Sequence, residues 1–168
     1  MTHNFILRNL AVGNLQAVGN TTFKYVFSIV GPGSLTCMVD LRDIHRPTTS
    51  VGEVYHKIFI VNDGNYEEFR ELLKEENFQW VHECIHKGNT LINCGAGLSR
   101  SAAFCTSYLS WCGFDPLDAK SFVEKRRPGA CISPVFMDAI KSVFPDPSPS
   151  AFEEEVAVKM IPSMKIDN

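Results

Sequence analysis

The feature that most restricts this 168-residue chain is the run Asn93-Cys94-Gly95-Ala96-Gly97-Leu98-Ser99-Arg100-Ser101. It lies between a short apolar strand, Thr90-Leu91-Ile92-Asn93-Cys94, and a stretch from Ser101 to Cys112 with the apolar spacing of a buried helix. A loop of small residues between a strand and a helix N-terminus can turn several backbone N–H groups towards one point, making a nest for an anion such as phosphate. Gly95, Ala96 and Gly97 leave room for that approach. The same electropositive point stabilises a thiolate, so Cys94 is expected as a nucleophile able to attack phosphorus. Arg100 closes the loop with a planar fork of donors that can hold two phosphate oxygens as charge develops. Ser101 offers a hydroxyl back towards Cys94, where it would stabilise sulfur as a leaving group. Cys94, Arg100 and Ser101 are therefore the expected catalytic residues, and Gly95, Ala96, Gly97, Leu98, Ser99 and Arg100 the expected phosphate-binding ones.

The rest of the chain supplies a frame for such a loop. Phe5-Ile6-Leu7, Leu10-Ala11-Val12 closed by Gly13-Asn14, Tyr25 to Val30, Leu35 to Leu41 and Val54 to Val61 read as strands. From Asn65 to about Lys87 the residues Tyr66, Phe69, Leu73, Trp80, Val81, Cys84 and Ile85 share one arc of a helical wheel, predicting one long helix ended by Gly88-Asn89. Two more helices are expected, Pro116 to Arg126 capped by Asp115 and Pro134 to Phe144 capped by Ser133, each with proline at its first position. Alternating strands and helices imply an α/β fold, a mostly parallel central sheet flanked by helices. The domain is expected to span residues 1–145. Pro145, Pro147 and Pro149 then stop regular structure before a flexible tail, 146–168.

Composition narrows the function classes. With 45% hydrophobic and 21% charged residues the chain fits one globular domain. A net charge of -3 is too small to draw nucleic acid or an anionic membrane by bulk attraction, so any anion site must be local. No apolar run approaches the roughly 20 residues of a membrane helix, and the start lacks the basic region and apolar stretch of a signal peptide. The expectation is a soluble, intracellular protein, cytoplasmic or nuclear. Its cysteines (37, 84, 94, 105, 112 and 131) are then reduced thiols, all but Cys94 packing as small hydrophobes.

The Cys-x5-Arg-Ser run, with Ala96-Gly97-Leu98-Ser99-Arg100-Ser101, closely resembles the loop of the cysteine-dependent phosphatases, in particular the small, atypical, single-domain dual-specificity protein phosphatases. Leu10 to Asn14 looks like that family's opening strand and turn. Ser107-Tyr108-Leu109 is similar to its core helix, and Arg127-Pro128 with Phe136 to its C-terminal helix-turn-helix. The resemblance covers residues 5 to 144. It implies hydrolysis of phosphomonoesters on phosphoproteins, at tyrosine and at serine or threonine, through a phosphocysteine intermediate and with no cofactor or metal. It also implies an aspartate on a loop before the cysteine that protonates the leaving oxygen and later activates water, a position that Asp63 fits. Two departures stand out. Asn93 occupies the place where the family usually has histidine, and Ser133, Val135 and Ala139 stand where it typically has Asn, Gly and Gln.

Two other patterns compete. His82-Glu83-Cys84-Ile85-His86 matches the H-E-x-x-H zinc motif, but no histidine beyond His86 can serve as third ligand, and the wheel places both rings opposite the apolar arc, on a solvated face. Lys125-Arg126-Arg127 reads as cations at a helix C-terminus, with contact to a second phosphate or an acidic substrate segment as the alternative. The expected function is protein phosphatase. The alternatives are phosphoinositide or RNA 5'-phosphate hydrolysis, and a phosphoprotein-binding pseudoenzyme.

Overall fold

A computed structural model describes residues 1–34 and 54–145. Their strands are β1 (His3–Leu7), β2 (Leu10–Gly13), β3 (Tyr25–Val30), β4 (Tyr55–Ile60) and β5 (Thr90–Asn93). They form one sheet in the order β1-β2-β5-β3-β4. Only the β1–β2 pair, joined by a tight turn, is antiparallel; the others run parallel. Helices α1 (Tyr66–Glu71), α2 (Glu75–Ile85), α3 (Arg100–Trp111), α4 (Pro116–Arg126) and α5 (Pro134–Val143) follow. This is the expected mostly parallel α/β architecture. The expected strand Leu35 to Leu41 and the tail 146–168 lie outside the described residues. Asn93 ends the central strand beside Gly13 of β2 and Ser28 of β3, so the loop after β5 leaves from the middle of the sheet.

Strand alternation divides the core. Leu10, Val12, Phe27, Ile29 and Ile92 face the helices, where Phe27 stacks on Phe104 at 4.4 Å between ring centroids. Ala11, Val26 and Leu91 face the other way and pack with Ala17 and Phe23. Helix α3 is buried at every position from Ser101 to Ser110. Its small residues let neighbours approach on all sides, and two of its buried hydroxyls bond within the helix, Thr106 to the Ala102 carbonyl at 2.9 Å and Ser107 to that of Phe104 at 2.6 Å. The predicted caps of α4 and α5 are present: Asp115 accepts from Leu117 and Asp118, and Ser133 accepts from Val135.

Three expectations are corrected. The single helix from Asn65 to Lys87 is two, because Leu72 to Lys74 leave the helical path and the Asn77 amide, 3% exposed, donates at 2.9 Å to the Leu72 carbonyl that the break frees. Cys131 is exposed rather than packed, while Cys84, Cys105 and Cys112 are buried as expected. His82 does not lie on a solvated face: it is 9% exposed, its Nδ1 lies 2.9 Å from the Tyr108 hydroxyl, and its ring packs against Trp111. The reason is that α2 meets α3 through a polar-aromatic seam, which the wheel reads as a water-facing side. His86 is exposed and bonds the His82 carbonyl through Nδ1 at 2.7 Å. No group of three metal-ligating side chains occurs among the described residues.

Burial, and then the nearby His86, lower the pKa of His82; burial and Arg127 lower that of His3. A depressed histidine pKa means that the unfolded chain takes up protons first, so stability is expected to fall as pH drops below about 6.5. Urea midpoints between pH 7.5 and 5.5 measure this. His82→Gln should flatten the decline, and an unchanged slope would remove His82 as a source.

Candidate active site

Cys94, 2% exposed, stands one residue beyond β5, and Arg100 begins α3. Between them the chain makes a loop whose small residues are needed for specific reasons. Gly97 adopts a positive φ of 73°, and a Cβ there would stand 2.5 Å from the carbonyl carbon of Gly13 and 2.7 Å from the nitrogen of Asn14. Gly13 is equally confined, since its own Cβ would meet the Thr2 carbonyl oxygen at 2.7 Å. The end of β2 and the loop are thus pressed together backbone to backbone.

The loop's carbonyls are all tied outwards. Gly95 O accepts from Leu15 N at 2.9 Å, Ala96 O and Gly97 O from the Arg127 guanidinium at 3.5 and 3.0 Å, Leu98 O from Cys131 N at 2.8 Å, and Ser99 O from Ala103 N at 2.7 Å. In a trans peptide the N–H of the next residue is anti to the carbonyl, so the N–H groups of residues 96 to 100 turn inwards. One of them is seen at work: Gly97 N–H donates to Cys94 Sγ at 3.2 Å. Ser101 Oγ lies 3.2 Å from the same sulfur and is fully buried. With sulfur as thiolate, the hydroxyl is the donor. The concave face can therefore do two things, hold an oxyanion and stabilise negative sulfur.

Arg100 spans the site. Its Nη1 donates to the Val61 carbonyl at 2.8 Å, at the end of β4, and its Nη2 lies 3.8 Å from where a Cβ of Gly95 would stand. One arm anchors the side chain to the sheet and the other hangs over the loop. Asp63 follows two residues after Val61, exposed, in a turn that Gly64 permits with φ 72°. That turn is stapled: Asn62 donates through its backbone N–H and its Nδ2 to Glu68 Oε1, at 2.8 and 3.0 Å, and Asn65 caps α1 by accepting from Glu68 N at 2.9 Å. The Val61 contact ties the strand end carrying Asp63 to Arg100.

Arg127 is the residue whose place the sequence did not show. Lys125 and Arg126 do lie in the last turn of α4, and Arg126 stacks on Phe122 at 3.5 Å. Arg127, by contrast, is 4% exposed and bonds Gly97 O, Ala96 O, Met1 O and the Asn4 side chain. It braces the loop through the carbonyls of Ala96 and Gly97. Its partners are distant in sequence, so no local pattern signals the role; only the adjacency to Pro128 within the family resemblance pointed at the position. Ser133 also supports the loop, its N–H donating to Ser99 Oγ at 3.4 Å. Ala139, another departure, is fully buried in the core. Cys105 lies within α3 and Cys112 at its C-terminal end, and burial pushes both thiols up, that of Cys112 to about 12, which suits packing rather than reactivity.

Comparison with solved structures settles the fold. Human DUSP28 superposes with a TM-score of 0.66 at 20% identity, covering 84% of this chain and 92% of that one. The human tyrosine phosphatase-like serine/threonine/tyrosine-interacting protein does so with a TM-score of 0.65 at 17% identity, covering 84% and 94%. The chain has the dual-specificity phosphatase fold. Within that fold, the loop from β5 to α3 carries Cys94, Arg100 and Ser101. Among curated proteins, rat dual specificity protein phosphatase 18 is 44% identical over 45 residues, which are 26% of this chain and 22% of that protein's length. No family profile matches the chain. No helix among the described residues is long and apolar enough to cross a membrane.

Proposed function

We propose that the chain is a cysteine-dependent dual-specificity protein phosphatase, hydrolysing phosphomonoesters at tyrosine and at serine or threonine of phosphoproteins. The observation that carries this reading is the ring of outward-tied carbonyls, which leaves inward N–H groups around a buried sulfur already accepting from Gly97 N and lying beside Ser101 Oγ. Phosphate oxygens rest on the N–H groups of residues 96 to 100 and on the free arm of Arg100. Cys94 Sγ attacks phosphorus, the P–O bond to the substrate breaks, and Asp63 gives its proton to the leaving oxygen. Asp63 then takes a proton from water, whose oxygen attacks phosphorus and breaks the P–S bond. Inorganic phosphate leaves, and the Ser101 hydroxyl donates to the restored thiolate. Residues 95, 96, 98 and 99 carry no cationic side chain, which favours a singly phosphorylated side chain over a multiply charged headgroup.

The reading is tested by turnover of p-nitrophenyl phosphate, followed by a panel of phosphopeptides and phosphoinositides. Turnover that prefers phosphopeptides supports it; hydrolysis confined to phosphoinositides overturns the protein-substrate assignment. Asp63→Ala is expected to lower kcat by about 10²-fold on an alkyl phosphate and by clearly less on the aryl ester, whose leaving oxygen needs little protonation. Equal losses on both esters would remove Asp63 as the acid.

A further inference from the structure

Behind the nucleophile a line of polar side chains crosses three adjacent strands. Asn93 is fully buried and its Oδ1 accepts from Ser28 Oγ at 2.5 Å; Ser28, also fully buried, lies 2.7 Å from His56 Nε2 on β4. Register places these groups together. Ser28 pairs with Asn93 on one side and with Ile58 on the other, and His56, two residues before Ile58, projects from the same face. A serine hydroxyl has one proton, and here it goes to Asn93, so the imidazole must donate through Nε2–H. In that orientation the line runs from His56 through Ser28 to Asn93.

The line is costly for stability alone. It runs through the face that Val26 and Leu91 make apolar, and it leaves Asn93 Nδ2 with no acceptor among the described residues. A buried polar group without a partner calls for an explanation, and a role in the adjacent site supplies one. That role follows from alternation. Asn93 and Cys94 are consecutive, so holding the Asn93 amide on one face fixes the peptide between them and the direction in which Cys94 Cβ–Sγ leaves on the other. At that peptide Cys94 N donates to the Gly13 carbonyl at 3.3 Å.

We infer that His56 is a positioning residue for the nucleophile, holding Cys94 Sγ on Gly97 N and Ser101 Oγ through Ser28 and Asn93. The inference deepens the phosphatase reading and uses it for one of its two readouts. The other readout, iodoacetamide labelling of Cys94 followed by peptide mass spectrometry, needs no turnover. His56→Leu is expected to lower kcat on p-nitrophenyl phosphate about tenfold, the effect of one hydrogen bond lost from a network, with KM unchanged because the phosphate-holding groups are untouched. Labelling of Cys94 should slow by a similar factor. His56→Gln, which keeps a donor near Nε2, should recover both rates to within about threefold. Ser28→Ala should reproduce the loss, which secures the test against misfolding of one variant. In an Asn93→Ala background, His56→Leu should have no further effect, because the line is already cut. Additive losses there, a change confined to KM, or rates indifferent to His56 would each overturn the inference. If the wild type hydrolyses no phosphate ester while labelling still follows this pattern, the phosphatase reading falls and the positioning role stands.

Discussion

Replacing Cys94 by serine is expected to reduce turnover of p-nitrophenyl phosphate by roughly 10⁴-fold or more, the scale on which loss of a nucleophile acts in covalent enzymes. The change removes sulfur and little else. An alcohol at this position stays protonated near neutral pH, and its hydrogen-bond neighbours among the described residues would be the Gly97 N–H and the Ser101 hydroxyl, neither of them a base. The carbonyls of residues 95 to 99 keep their outside partners, so the inward N–H groups and Arg100 still hold an oxyanion. Tungstate or phosphate should therefore raise the melting temperatures of the variant and of the wild type alike. Turnover retained in the variant would place the nucleophile elsewhere. Loss of anion binding along with turnover would show that sulfur is part of the nest.

Gly97→Ala is expected to damage both the loop and the stability of the fold. A side chain at φ 73° costs about 1–2 kcal/mol by conformation alone. The new Cβ would also stand 2.6 Å from the Gly13 carbonyl oxygen, a backbone atom that cannot swing aside as a flexible side chain can. The loop must shift, and with it the N–H on sulfur and the carbonyl held by Arg127. A displacement near 1 Å in a positioned site is enough to cost about 10²-fold in kcat. We expect a loss of that size together with a melting temperature lowered by several degrees, on the order of 2–4 °C per kcal/mol for a chain of this length. A variant with unaltered kcat and melting temperature would show that the loop tolerates a Cβ against β2.

Both experiments rest on residues that were legible in the sequence, and the reason is local. Cys94, Gly95, Gly97, Arg100 and Ser101 lie within one strand-loop-helix unit, so their spacing carries their geometry. Strand Tyr25–Val30 and the caps Asp115 and Ser133 were legible for the same reason. The break at Leu72 to Lys74 was not, because the apolar arc continues across it and the side chain that secures it, Asn77, reads as an ordinary polar helix residue. His82 went astray because a wheel separates apolar from polar, whereas this ring is buried through its hydrogen bond and aromatic neighbours. Arg127 meets the loop from 30 residues away, and Asn93 meets Ser28 across 65. Such pairings depend on strand order and on the turn after α4, which periodicity does not encode.

The outward-tied carbonyls also bear on how such a protein can diversify. Apart from the Arg100 guanidinium, the contacts that would receive a phosphate come from main-chain N–H groups, which every residue except proline possesses. Ala96 and Leu98 are therefore open to replacement without loss of the anion seat, provided Gly97, Arg100 and the bracing Arg127 remain, whereas Ser99 also holds Ser133 N through its hydroxyl. A seat built this way reads charge and tetrahedral shape and is blind to the alcohol that carried the phosphate. Discrimination between one phosphorylated partner and another then falls to the surface around the loop's rim. That surface is free to drift in sequence while the chemistry beneath it is held constant.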